Sequence, residues 1–247
     1  MRRVFIASCF LLFYFNSFCQ ESPPNKRPSG KSGEKKGPDD FLFALNVGGA
    51  LGDTKKAVNN HMGNLGFGAS IEALWDPFRW GGGKGPIRIG ADISYSYYGR
   101  FISDVDINGY HGDYKTSYGI GRINAIFRLR PPNEKKFIPF ADVFAGGNLY
   151  EADTKENLNA IETALGSKSQ SFGGKSSFGF NKGIAAGFAI RTGKEEFFKL
   201  RVSGNWGTPV YYVVRNSVTY DAGQNRLVYQ TGRAVLNYVL VEFGIGL

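Results

Sequence analysis

The 247 residues include 34 Gly, 21 Phe, 13 Tyr and 3 Trp against two Met and two His, and 42% are apolar. That composition excludes a disordered polymer and points to β-structure, since helix formers are scarce and Gly and aromatics abundant. A formal net charge of +9 would suit nucleic acid, but the chain begins with an export signal, so anionic lipid, polysaccharide or a merely solvated surface is the expected neighbour, and no nucleic acid.

Arg2 and Arg3, the apolar run Val4 to Phe15 and the polar stretch Asn16-Ser17-Phe18-Cys19 form the three regions of a secretory signal peptide, 1–19. The run is short of the about 20 apolar residues that a spanning helix needs. Phe18 stands where a lipoprotein signal has a small residue before its Cys, so ordinary cleavage after Cys19 is expected. Cys9 and Cys19 leave with the signal, so the mature chain has no disulfide or thiol chemistry. Removing Arg2 and Arg3 takes the net charge from +9 to +7. Residues 20–40 are Pro, Gly, Ser and Lys with no large apolar side chain, and read as a disordered periplasmic linker.

From Phe41 to Leu247 one pattern recurs: residues alternate between an apolar face and a polar or small face. It predicts strands over 41–52, 64–75, 87–98, 118–130, 137–149, 180–191, 197–206 and 236–247. The last, LNYVLVEFGIGL, sets Val239, Val241, Phe243, Ile245 and Leu247 against Tyr238, Leu240, Glu242 and two glycines. A bare apolar edge of this kind must be paired. A soluble sandwich would show the same alternation, so three further features decide. Connections after strands two, four and six are shorter, the last two tight turns (131–136 and 192–196), and those after odd-numbered strands mostly longer, as in outer-membrane barrels. Aromatics collect at strand ends: Trp75, Phe127, Phe137, Phe198 and Phe243 at the turn side, Tyr95, Tyr97, Phe180 and Trp206 at the loop side. The chain also carries an export signal and no apolar helix, so only a closed barrel could satisfy its backbone in lipid. The predicted fold is all-β, an eight-stranded antiparallel up-and-down transmembrane barrel over 41–247, in the outer membrane.

On these residues the chain resembles the small eight-stranded outer-membrane barrels of the OmpA and OmpX type in Gram-negative bacteria. In that family the last strand is an assembly signal of alternating apolar residues, usually ending in Phe. Val241, Phe243 and Ile245 match it, and Leu247 departs. The resemblance implies the barrel-assembly machinery, outer-membrane lipid and lipopolysaccharide as partners, and a monomer.

Three loops carry signals of their own. Ile107-Asn108-Gly109-Tyr110 is a type I′ hairpin signal, and continuing its pairing into the barrel requires a bulge near Gly99, Gly119 or Gly121. Residues 154–166 hold Leu158, Ile161 and Leu165 at helical spacing, with Asp153 or Thr154 as cap and Gly166 as stop. A turn at Asp221-Ala222-Gly223-Gln224 pairs residues summing to about 445, which sets Ser203 opposite Glu242.

The inward faces carry Glu72, Asp92, Asp142 and Glu242 with Arg88, Arg122, Arg128, Arg191, Lys199 and Arg201. Turn geometry brings Arg128 near Asp142 and Arg88 near Glu72. Eight strands leave a lumen that side chains can fill, and buried charges must pair. The expectation is therefore an ion-paired plug; a polar or gated small-solute channel is the alternative. Rim catalysis is remote. His61 and His111 fall in external loops, and His111-Gly112-Asp113 supplies a carboxylate, but neither has a nucleophilic Ser in context. No catalytic, metal or cofactor residues are assigned, and Gly173-Gly174-Lys175-Ser176 lacks the spacing and helix of a phosphate loop. The expected role is structural, or the binding of a surface protein or polysaccharide through the external loops.

Overall fold

In the computed structural model the described residues are 40–58, 64–77, 85–131, 136–157, 159–166, 175–192, 196–214, 217, 219–221, 223–224, 226–228 and 230–246. The signal segment, nearly all of the linker and His61 lie outside them.

Alternating side chains demand a sheet with two different faces, and the chain closes that sheet on itself. The elements are β1 (Asp40–Leu51), α1 (Thr54–Val58), β2 (Leu65–Trp75), β3 (Ile87–Ile107), β4 (Tyr110–Leu129), β5 (Phe137–Asn157), α2 (Asn159–Leu165), β6 (Lys175–Arg191), β7 (Phe197–Val213), β8 (Thr219–Asp221), β9 (Arg226–Val228) and β10 (Thr231–Gly246). Each barrel strand pairs antiparallel with its neighbours, β1 through β7 in order, and β10 closes the ring between β7 and β1. The terminal strand thus has both edges satisfied: Phe43 faces Ile245 on one side, and Phe243 faces Leu200 on the other. β8 and β9 pair separately, outside the barrel.

The two faces are inverted relative to a soluble protein. Leu45, Ile93, Ile123, Val143, Ile184 and Ile245 are exposed, whereas Glu72, Arg88, Asp92, Arg122, Arg128, Asp142, Lys199, Arg201 and Glu242 are buried in the lumen. A continuous apolar exterior of this size would aggregate in water; in lipid it is the lower-energy surface. Both aromatic girdles face outward, including Trp75, Phe137 and Phe198 at the turn side and Tyr95, Phe180 and Trp206 at the loop side. No helix of the described residues is long and apolar enough to cross a membrane.

The loop-side geometry follows local signals in part. Asn108 and Gly109 both have positive φ, 55° and 81°, as a type I′ turn requires. The β3–β4 register shifts between Tyr97 and Arg100. Gly99 there has φ 91°, conformational space open to a residue without a Cβ, so the bulge forms at the first of the three predicted positions.

Three expectations are corrected. The strands run beyond the predicted ends, so Asp153 and Thr154 belong to β5 rather than capping a helix. Thr154 Oγ1 instead lies 3.0 Å from Thr116 Oγ1 on β4. The helix shrinks to Asn159–Leu165, with Ile161 buried and Gly166 at φ 60° as its stop. In the barrel the β7–β10 pairing places Ser203 opposite Leu240, and Glu242 opposite Arg201, two residues from the predicted register. The cause is a break between Val235 and Asn237 and a separate β8–β9 hairpin, around an Asp221 side chain that accepts from Gly223 N (2.9 Å) and Gln224 N (3.2 Å). An even shift keeps each face intact.

Val143 tests the lipid-facing assignment. Val143→Arg should cost about 2–4 kcal/mol in reversible urea unfolding from vesicles, the range for a cation placed near the bilayer midplane. A water-exposed site would lose only about 0.5 kcal/mol.

Candidate functional site

The only described region that gathers ionisable side chains densely is the lumen. Strand pairing places them: Glu72 is in register with Asp92, Asp92 with Asn124, Arg128 with Asp142 and Glu242 with Arg201. Inward projection on a tight ring then brings non-neighbouring strands into contact. Arg128 Nε donates to Asp142 Oδ1 (2.6 Å) and Arg128 Nη1 to Glu72 Oε1 (2.8 Å), joining β4 to β5 and β2. Lys199 Nζ donates to Glu72 Oε2 across the lumen at 2.6 Å. Arg201 binds three acids: Asp142 (2.9 Å), Asp92 (3.1 Å) and Glu242 (2.7 Å). Arg122 Nη2 reaches Glu242 at 3.1 Å and Asp92 at 3.4 Å.

The buried ionic residues of the described chain are five acids (Glu72, Asp76, Asp92, Asp142, Glu242) and five bases (Arg88, Arg122, Arg128, Lys199, Arg201). Their formal charges cancel, so the layer encloses no net charge, although each ion still loses its own hydration. Two aromatic rings on the inward face of β5 sit among these cations. Phe140 lies 4.0 Å from the Arg128 guanidinium and 5.3 Å from Lys199 Nζ, and Phe144 lies 5.3 Å from the Arg201 guanidinium. Each presents a π-face to a charge that has lost its water.

Two sequence-predicted members stand elsewhere. Arg88 does not meet Glu72. The β2–β3 register sets Glu72 opposite Asp92 and Trp75 opposite Ile89, so Arg88 lies below both and pairs with Asp76 at 2.9 Å. Arg191, the last residue of β6, is exposed at the turn-side opening rather than enclosed. Sequence reasoning missed Asp76, although it continues the inward parity of Glu72 and Leu74. It also missed the Arg130–Asp40 pair (2.8 Å), which links the end of β4 to the start of β1.

Above the ionic layer the filling changes character. Asn46, Asn148, Asn181 and Asn205 form a neutral polar belt, in which Tyr238 OH donates to Asn148 Oδ1 at 2.8 Å. The loop-side end is apolar: Tyr98, Tyr150, Leu236, Tyr238, Leu240 and Val210 enclose Ala57 and Val58 of α1. Tyr98 lies flat across the neighbouring β2 and β1 because both are bare there. A Cβ on Gly48 would lie 2.5 Å from its hydroxyl, and one on Gly66 2.9 Å from its ring. Helix α1 is tied at both ends. Thr54 Oγ1 donates to Val235 O (2.9 Å) and accepts from Asn237 N (2.6 Å), bridging the β10 irregularity, and Tyr150 OH donates to Ala57 O (2.8 Å). Nothing in the sequence pattern foretold that the first external loop turns inward; its one signal is a Gly52 turn followed by Ala57-Val58.

His111 faces Asp106 across the hairpin at 3.3 Å, both exposed, and Asp113 instead accepts from Asn157 Nδ2 at 2.8 Å. The His111–Asp113 pair considered above is therefore not formed. Among the described residues no group of three or more His, Cys, Asp or Glu side chains is placed to hold a metal ion.

No protein-family model and no curated protein matches the chain. Among solved structures it is similar to Neisserial surface protein A, with 11% identity over 85% of this chain and 96% of that one and a TM-score of 0.47. It is similar also to a major outer membrane protein of Thermus thermophilus (10% identity, 84% and 98% of the two chains, TM-score 0.45). A third is Ail, the attachment invasion locus protein of Yersinia pestis (8%, 84% and 95%, TM-score 0.38).

Two substitutions probe the filled lumen. Glu72→Gln leaves Lys199 without its carboxylate and should cost about 3–5 kcal/mol of unfolding free energy in vesicles. Thr54→Val removes the partner of two part-buried backbone groups, Val235 O and Asn237 N, and should cost about 1–3 kcal/mol.

Proposed function

We propose that this integral outer-membrane β-barrel is a closed, non-catalytic element of the cell envelope. In this reading its lumen is a plug and its extended loop-side hairpins are the surface that meets partners. The supporting observation is the filling of the lumen in series: a charge-balanced ionic layer at the turn side, a polar belt, and an apolar cap holding α1. A solute would have to break several buried ion pairs and displace an anchored helix, each step costing several kcal/mol.

The loop-side ends of β3, β4 and β5 rise beyond the girdles and present mixed charge, including Arg100, Asp104, Lys115 and Lys155, on an exposed sheet face. Such a surface suits a protein or polysaccharide ligand bound through polar contacts and strand edges. Insertion by the barrel-assembly machinery and a monomeric state in outer-membrane lipid and lipopolysaccharide belong to the same reading.

Planar-bilayer conductance of the refolded barrel tests the plug, with heat-shifted gel mobility as the control for folding. The expected result is a folded, silent protein, and Arg128→Gln that lowers stability while staying silent. Steady unitary openings of the folded wild type would overturn the plug and make solute passage the function.

A further inference from the structure

The lipid-facing wall is not uniform. A row of alanines, Ala73, Ala91, Ala125 and Ala145, runs in register across β2, β3, β4 and β5. Bulkier rows flank it: Trp75, Ile89, Phe127 and Val143 on the turn side, Ile71, Ile93 and Ile123 on the loop side. The result is an apolar groove of about 780 Å³ whose lining includes Trp75, Ile89, Ala125, Phe127, Val143 and Ala145.

A charge stands one strand beyond the groove. Ala145 is in register with Lys182 of β6, and Lys182 in turn with Trp206 of the loop-side girdle. Lys182 is exposed and is the one charged residue at the described outward positions between the girdles; Phe180 and Ile184 flank it. No carboxylate of the described residues pairs with it, and the acids of this wall, Glu151 and Asp153, lie higher on β5, beyond Leu149. An ammonium group at the edge of hydrocarbon needs a counter-ion, and the aromatic neighbours mark headgroup depth. At about 4.8 Å per strand, the groove floor from Ala91 on β3 to Ala145 on β5 is roughly 10 Å across, and Lys182 stands one strand further on.

We propose that this wall binds one phosphorylated glycolipid of the outer leaflet, lipid A in chemical class, with a phosphate on Lys182 and one acyl chain laid in the alanine groove. The inference rests on the outer-membrane reading with the long loops outside, which puts Lys182 in that leaflet. Phosphate rather than a zwitterionic headgroup follows from the lone cation: a net anion neutralises it, whereas a zwitterion brings its own ammonium group alongside.

The experiment is native mass spectrometry of the full-length mature barrel, released by mild detergent from phosphatidylcholine vesicles doped with lipid A. Wild type should retain one lipid A per barrel and should not retain its dephosphorylated form. Lys182→Gln should lower retention about tenfold, the effect of losing one charge-assisted contact, while Lys182→Arg keeps it. Ala125→Phe, which fills the groove and leaves the cation, should lower it too. Retention of the dephosphorylated lipid, or of lipid A by Lys182→Gln as by wild type, would overturn the proposal, and so would a folded wild-type barrel that retains none. Heat-shifted mobility in phosphatidylcholine alone reports the barrel separately, so failure of the site and failure of the membrane-barrel reading are distinguishable.

Discussion

Closure of the sheet is the constraint from which the rest follows. Once β10 pairs with both β1 and β7, every barrel strand has its backbone groups satisfied by neighbours, and the cylinder can sit in a medium that offers no hydrogen bonds. Closure also fixes two surfaces of opposite requirement. The exterior must be apolar, and whatever polar groups the other parity carries are driven into a narrow lumen with little water. The ionic layer is the answer to that second demand: Arg201 alone binds three carboxylates from three strands.

Buried ion pairs are weak evidence for net stability, because desolvation offsets most of their attraction. Their stronger effect here is on specificity. A slip of any one strand would strand several charges at once, so the network favours a single register around the ring. The apolar cap at the loop side acts differently. It packs Tyr98, Tyr238 and Leu240 around α1 at the loop-side end of the lumen.

The exterior carries its own asymmetry. Most of the wall reads as a generic lipid-facing surface, with bulky residues between girdles. The groove and Lys182 break that uniformity on one side only, giving an otherwise rotationally similar barrel a preferred face toward particular lipids.

Much of this was legible in the chain itself. Parity of side chains determined which residues face lipid and which face the lumen, because a strand offers only two directions and a membrane accepts only one kind of residue on the outside. Loop-length asymmetry, Asn108-Gly109 and Gly99 likewise set local geometry that neighbours had no reason to override. What tertiary structure decided was everything that depends on which strands stand across the ring from one another. Asp76 rather than Glu72 holds Arg88 because register is counted through pairing. Lys199 on β7 meets Glu72 on β2 only because the five strand pairings from β2 through β7 bend the sheet into a circle. The inward turn of α1 depends on an apolar cup assembled from six strands, and the lipid groove on three alanines, Ala91, Ala125 and Ala145, on three strands. Periodicity is a property of one segment and can be read from it; proximity across a closed ring is a property of all eight strands at once.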